Sequence, residues 1–157
     1  MRESIRKGFS FGITSGIITT LGLIVGLHSS THSTLVIIGG ILVIAIADAL
    51  SDSLGIHISE ESENKHTTKE IWESTISTFI SKFVFALSFI VPILVFKLST
   101  AIIISVVWGL SLIAIFSYYL AKQQNIKPYS VIIEHLVISI LVIVTTHYVG
   151  QWVATFS

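Results

Sequence analysis

Residues 35–58 read LVIIGGILVIAIADALSDSLGIHI, and this stretch decides the class of fold. Its apolar run is longer than the ~20 residues that an α-helix needs to cross a bilayer. Only Asp48 and Asp52 within it carry a formal charge. In lipid every backbone amide must be hydrogen-bonded inside the segment, so we predict a transmembrane helix here.

Apolar stretches of similar length recur on both sides of this one. The five predicted spans lie at about residues 9–27, 35–58, 76–98, 101–120 and 130–153. The chain is 52% hydrophobic and 11% charged, whereas soluble domains carry roughly 25% charged residues. We therefore predict an all-α polytopic membrane protein with five transmembrane helices, built as a single membrane domain over residues 1–157.

Basic residues indicate the orientation of the chain. Eight of the nine lysines and arginines fall before span 1, around the connection between spans 2 and 3, or between spans 4 and 5. Lys82 is counted in that group, and only Lys97 falls on the other side. Lysine and arginine are enriched in short cytoplasmic loops, so the N-terminus is predicted to be cytoplasmic. No small-residue cleavage site closes the first apolar run, which favours a retained helix over a signal peptide.

The connection over residues 59–73 is the largest polar segment, and it is predicted to be a cytoplasmic acidic segment. Thr67 and Glu70 fit a capping box, so the third helix should begin near residue 68 and project into the cytosol. Pro92 should kink that helix. The candidate metal-attracting carboxylates of the segment are Glu60, Glu61, Glu63, Glu70 and Glu73. Carboxylates attract divalent cations, but a merely solvated acidic loop fits the same pattern.

Glycines recur at every fourth residue of the first span, at Gly8, Gly12 and Gly16, and again at Gly22 and Gly26. Such spacing lets helix backbones approach closely in lipid. It predicts either close packing within the chain or the seam of a homodimer, and the two are compatible.

Carboxylates inside the spans are the candidate transport residues. Asp48 and Asp52 lie one turn apart on one face of the second helix. They would repel each other unless they hold a proton or a cation. Glu134 and His135 of the fifth span are predicted to lie at the depth of Asp52. Carboxylates at one depth form a hard-oxygen site suited to Mn²⁺, Fe²⁺ or Mg²⁺. The alternatives are a protonated structural Asp pair and an interfacial Glu134.

Other chemistries are not supported by the sequence. There is no cysteine, which excludes a thiolate metal site. We find no phosphate-binding glycine loop and no hydrolase motif. The net formal charge is zero, which gives no basic surface for nucleic acid. We therefore predict a protein that is not an enzyme and holds no permanently bound cofactor.

Several segments resemble the vacuolar iron transporter family, which includes the yeast calcium-cross-complementer and plant nodulin-21-like proteins. Residues 8–12, GFSFG, resemble the family's Gly-Phe-Ser-Asp-Gly opening of helix 1. Residues 49–55, ALSDSLG, resemble its Ala-Ile-Ser-Met-x-x-Gly segment. Further matches are Ser62 with Glu63, Pro92 in helix 3, and Glu134 and Gly150 in the last helix. The departures are Phe11 in place of the pathway aspartate, Asp52 in place of the pathway methionine, and Asp48 in place of a small residue.

The resemblance implies a homodimer that moves Fe²⁺ or Mn²⁺ out of the cytosol, in exchange for protons, with the metal as substrate. It also implies a glutamate-rich cytoplasmic collar between helices 2 and 3. The expected location is the cell membrane in a prokaryote, or the vacuole or another endomembrane in a eukaryote. Two alternatives stay open. One is a carrier of another cation on the same fold, and the other is a structural or regulatory membrane protein that has lost transport.

Overall fold

The computed structural model describes residues 3–156, and the regular elements in that range are all helices. They are α1 (Glu3–Thr31), α2 (Thr34–Ser62), α3 (Thr68–Ser88), α4 (Ile90–Val95), α5 (Leu98–Gln123) and α6 (Pro128–Ala154). Five helical segments are long and apolar enough to cross a membrane, with α3 and α4 together forming the third, Thr68–Val95. The predicted all-α class and the five spans are confirmed. The helices also run past the apolar cores into their polar flanks.

Local sequence sets where the helices begin. The side chain of Ser33 caps α2 by accepting a hydrogen bond from the Val36 amide, at 3.4 Å. The predicted capping box is present at α3: the Thr67 amide donates to Glu70 Oε2 at 2.8 Å, and the Glu70 amide donates to Thr67 Oγ1 at 3.3 Å. Such a box satisfies two amide donors that the first turn of a helix leaves unpaired.

Pro92 divides the third span. It has no amide hydrogen, so the carbonyl of Ser88, four residues earlier, loses its helical donor. The structure ends α3 at Ser88, turns at Phe89 and starts the short helix α4 at Ile90. The kink expected from the proline is therefore present as a break between two helices.

Helix α1 is the centre of the bundle and packs against α2, α3, α5 and α6. Its glycines make this possible. A Cβ atom at Gly8 or Gly12 would fall within 3.0 Å of backbone oxygens of α3, and one at Gly22 would meet Val142 of α6 equally closely. The close packing predicted for these glycines is therefore confirmed within the chain, where α3 and α6 cover them, and the homodimer seam stays a prediction.

The apolar core follows from this arrangement. Ile17, Leu21 and Ile24 of α1 are fully buried, and they belong to one cluster with Ile37 and Ile41 of α2. Helix α6 contacts α1 and α5, whereas α2 contacts α1 and α3. Side chains that α2 directs towards α3 therefore lie on a different side of the bundle from those of α6.

Candidate intramembrane ion-pair site

Asp48 and Asp52 of α2 contact the same ammonium group, that of Lys82 on α3. Lys82 Nζ lies 2.5 Å from Asp48 Oδ2, and it also donates a short hydrogen bond to Asp52 Oδ2. The lysine side chain is 1% exposed, while the two aspartates are 28% and 22% exposed. Because the aspartates are four residues apart, both project from one face of α2 towards one partner.

Helix α1 completes this site through Ser15. The Ser15 hydroxyl donates to Asp52 Oδ2 at 2.6 Å and accepts a hydrogen bond from Lys82 Nζ at 2.9 Å. Gly16 leaves room for the lysine, since a Cβ there would lie 3.1–3.2 Å from three Lys82 atoms. We call Ser15, Asp48, Asp52 and Lys82 the intramembrane site.

The charges of the intramembrane site explain why the three helices meet there. A lone charge in the bilayer interior costs at least ~2.5 kcal/mol on insertion scales, and an ammonium between carboxylates reduces that cost. Two aspartates and one lysine leave a formal charge of −1 when all three are ionised.

The position of Lys82 corrects the count of cytoplasmic basic residues. It was counted among cytoplasmic basic residues, but it lies deep in the third span and is buried against α1 and α2. The aspartate pair was expected to need a proton or a bridging cation, and the Lys82 side chain contacts both carboxylates. The sequence did contain a signal for this pairing, because Lys82 lies inside one apolar span and Asp48 and Asp52 lie inside another. No feature of the sequence indicated that Ser15 would belong to this site.

Glu134 and His135 do not join the intramembrane site, in contrast to the expectation. Glu134 is exposed on α6, and His135 Nδ1 contacts Ser117 Oγ of α5 at 2.8 Å. The reason is that α6 packs on α1 and α5 and not beside α2. Among residues 3–156, no group of three or more histidine, aspartate or glutamate side chains is placed to hold a metal ion.

The carboxylates of the acidic segment make different contacts, and Glu60 and Glu63 share Lys7 as a partner. Its side chain is fully buried, accepts a hydrogen bond from Ser74 Oγ at 2.6 Å and pairs with Lys7 Nζ at 3.2 Å. Glu63 is exposed and lies 3.6 Å from the same ammonium and 3.4 Å from His66 Nε2. The Lys7 charge, followed by the His66 hydrogen bond, lowers the pKa of Glu63 below its usual value.

The remaining acidic residues are not gathered with these. Glu70 is used by the capping box at Thr67, and Glu73 accepts a hydrogen bond from Ser4 Oγ of α1 at 3.2 Å. Glu61 is exposed. The expected collar therefore consists of a buried carboxylate, a helix cap and an inter-helix contact, and these residues do not converge on one metal site.

The fold and this site define a five-span membrane protein with an anionic ion-pair network enclosed by its first three spans. The sequence model of the VIT family matches residues 7–72, which confirms the resemblance to the vacuolar iron transporters. No curated protein matches the chain. Ser15, Asp48 and Asp52 lie inside the matched range, and Lys82 lies outside it.

Proposed function

We propose that this protein carries a divalent transition metal, Fe²⁺ or Mn²⁺, out of the cytosol in exchange for protons. The observation that carries the proposal is the pair of carboxylates, Asp48 and Asp52, held one turn apart inside the second span and still partly exposed. Intramembrane carboxylates usually face an ion or proton path. Both lie in the segment that matches the VIT family.

The donor atoms favour hard and borderline cations. The site offers carboxylate oxygens and the Ser15 hydroxyl, and water can complete the shell of Mn²⁺ or Fe²⁺. The one methionine of the chain is Met1, so no thioether lies in the spans to attract Cu⁺. We therefore expect Mn²⁺ and Fe²⁺ to be preferred over soft ions.

The exposed parts of Asp48 and Asp52 suggest where the path runs. Charged side chains in spans face a bundle interior or a water-filled cavity and avoid lipid. Gly55 lies on the same face of α2, three residues after Asp52, and a Cβ there would meet no atom within 4 Å. We propose that a second copy of the chain packs on α2, which would place the aspartates beside a path shared by two protomers.

The direction of transport rests on the topology. The distribution of basic residues favours a cytoplasmic N-terminus and a cytoplasmic acidic segment. Lys7, Glu60 and Glu63 would then lie at the cytoplasmic mouth. The acidic residues there would attract cations before they reach the intramembrane site. This orientation supports export into the extracellular space, or into an organelle lumen in a eukaryote.

The test is uptake of Mn²⁺ and Fe²⁺ into proteoliposomes, with and without a pH gradient. We expect Asp52→Asn to reduce transport by at least about tenfold and the Asp48→Asn, Asp52→Asn double variant to abolish it. Glu134→Gln is the matched control, because it also removes one carboxylate from a span but lies outside the site. Parent-like transport by all the aspartate variants would refute the proposal.

One observation favours a second candidate, a structural or regulatory protein without transport. Lys82 already occupies the position between the carboxylates that a transported cation would need. A parent protein that moves no metal, but loses its fold when Lys82 is replaced, would support this reading. Flux of another cation without flux of Mn²⁺ or Fe²⁺ would instead indicate a carrier of different selectivity.

A further inference from the structure

Two histidines meet at the end of the bundle opposite the acidic segment. His28 lies in the last turn of α1, and His32 lies in the two-residue connection between α1 and α2. Their ring centroids are 5.0 Å apart and the ring planes are tilted by 51°. The helix connections at this end, residues 32–33 and 96–97, contain no aspartate or glutamate. The two imidazoles therefore meet without a carboxylate between them.

The backbone holds His32 beside His28. The His32 amide donates to the carbonyl of His28 at 3.2 Å, and the next residue, Ser33, caps α2. His32 has a φ of 52°, in the left-handed region that favours glycine. In the described part of the chain, the other two non-glycine residues with positive φ are asparagines, Asn64 and Asn125. A bulkier side chain kept in this conformation is a feature of binding sites, where the surrounding structure offsets its cost.

The pair offers nitrogen atoms to a ligand. His28 Nδ1 is buried and has no hydrogen-bond partner among residues 3–156, and such an unpaired polar atom costs free energy that a bound ligand recovers. His32 is exposed, so an ion can reach the pair from water. His147 of α6 is close enough for its charge to act on His28, but its Nδ1 is already engaged by Ser29 Oγ at 2.7 Å.

The separation of the two rings suits one tetrahedral metal ion. Zn²⁺ lies ~2.0–2.1 Å from each imidazole nitrogen, which places the centres of two bound rings about 5 Å apart. The observed 5.0 Å fits this value. We propose that His28 and His32 bind Zn²⁺, with water completing the coordination shell. This inference goes beyond the proposed function, because it uses neither Asp48 nor Asp52.

The donor atoms predict the selectivity of this histidine pair. Imidazole suits Zn²⁺, whereas Mn²⁺ favours carboxylate, carbonyl and water oxygens. The pair supplies nitrogen only, so Zn²⁺ should bind and Mn²⁺ should not compete with it. Since the ion would join the last turn of α1 to the residue before the cap of α2, Zn²⁺ should also raise the melting temperature of the protein.

The test is calorimetric titration of the purified parent with Zn²⁺, without a polyhistidine tag and with Mn²⁺ in excess. His32→Asn is the decisive variant, because asparagine tolerates positive φ and the turn should still form. We expect His32→Asn and His28→Gln each to weaken Zn²⁺ binding at least about tenfold. The matched control is His57→Asn, which removes the imidazole that contacts Thr75 Oγ1 at the other end of α2 and should bind Zn²⁺ like the parent.

Each outcome decides for or against the histidine pair. A parent that binds no Zn²⁺, or an equal loss of affinity in His57→Asn, overturns the inference. Parent-like binding by folded His28→Gln and His32→Asn places the ion elsewhere, such as at Asp48 and Asp52, and overturns it as well. The proposed function is tested apart from this, since loss of Mn²⁺ transport in the aspartate variants does not depend on His28 or His32.

Discussion

The contact between α1 and α3 at Gly8 gives the sharpest stability prediction. A Cβ at Gly8 would lie closer than 3.0 Å to the carbonyl oxygen of Ser74, and backbone on both sides leaves no flexible atom to yield. Gly8→Ala must therefore push the two helices apart. Overpacking of this kind costs about 1–3 kcal/mol.

Separation of the helices would also weaken two hydrogen bonds between them. Ser77 Oγ donates to the carbonyl of Ile5 at 2.9 Å, and Thr78 Oγ1 donates to the carbonyl of Gly8 at 3.2 Å. Such bonds contribute about 0.6 kcal/mol each in membrane proteins. Adding both terms, Gly8→Ala should lower the free energy of unfolding by about 2–4 kcal/mol.

Gly39→Ala is the matched control, since a Cβ at Gly39 of α2 meets no atom within 4 Å. Alanine is favoured over glycine inside a helix by roughly 0.5–1 kcal/mol, so this variant should be neutral or slightly more stable. Unfolding by SDS in mixed micelles, at protein concentrations that keep the chain monomeric, measures both free energies. A Gly8→Ala protein within about 0.5 kcal/mol of the parent, or an equal loss in Gly39→Ala, would refute the packing argument.

Two further predictions concern the topology and the acidic segment. Single cysteines at Ser62 and Ser99 should react with an impermeant thiol reagent from opposite sides of the membrane, and labelling of both from one side contradicts the topology. The Lys7 and His66 contacts lower the pKa of Glu63, so the stability they add is present above the unfolded pKa of ~4.3 and is lost as pH falls through the lower folded pKa. The difference in melting temperature between the parent and Glu63→Gln should therefore be small at neutral pH, because the pair is exposed, and absent once the pH lies below the folded pKa of Glu63. A difference that grows on acidification contradicts this account.

Features that depend on a few neighbouring residues were predicted correctly from the amino-acid sequence. Apolar length defined the five spans, because the bilayer demands internal backbone hydrogen bonding whatever the neighbouring helices are. Thr67 and Glu70 defined the start of α3, because a capping box involves only four consecutive residues. Pro92 located the break in the third span for the same local reason. The aspartates of α2 were recognised as candidates, because charge in an apolar run is costly wherever it points.

The folded structure was needed to show which helix faces meet. It placed Lys82 between Asp48 and Asp52, covered the α1 glycines with α3 and α6 and left Glu134 on the far side of α1. Hydropathy reports the depth of a residue in the membrane but not its direction around the bundle axis. The direction is set by close packing and by ion pairs between helices distant in sequence, such as Asp52 with Lys82. The chemistry of the site depends on the contact between Asp52 and Lys82, and no pattern of neighbouring residues in the sequence predicts that contact.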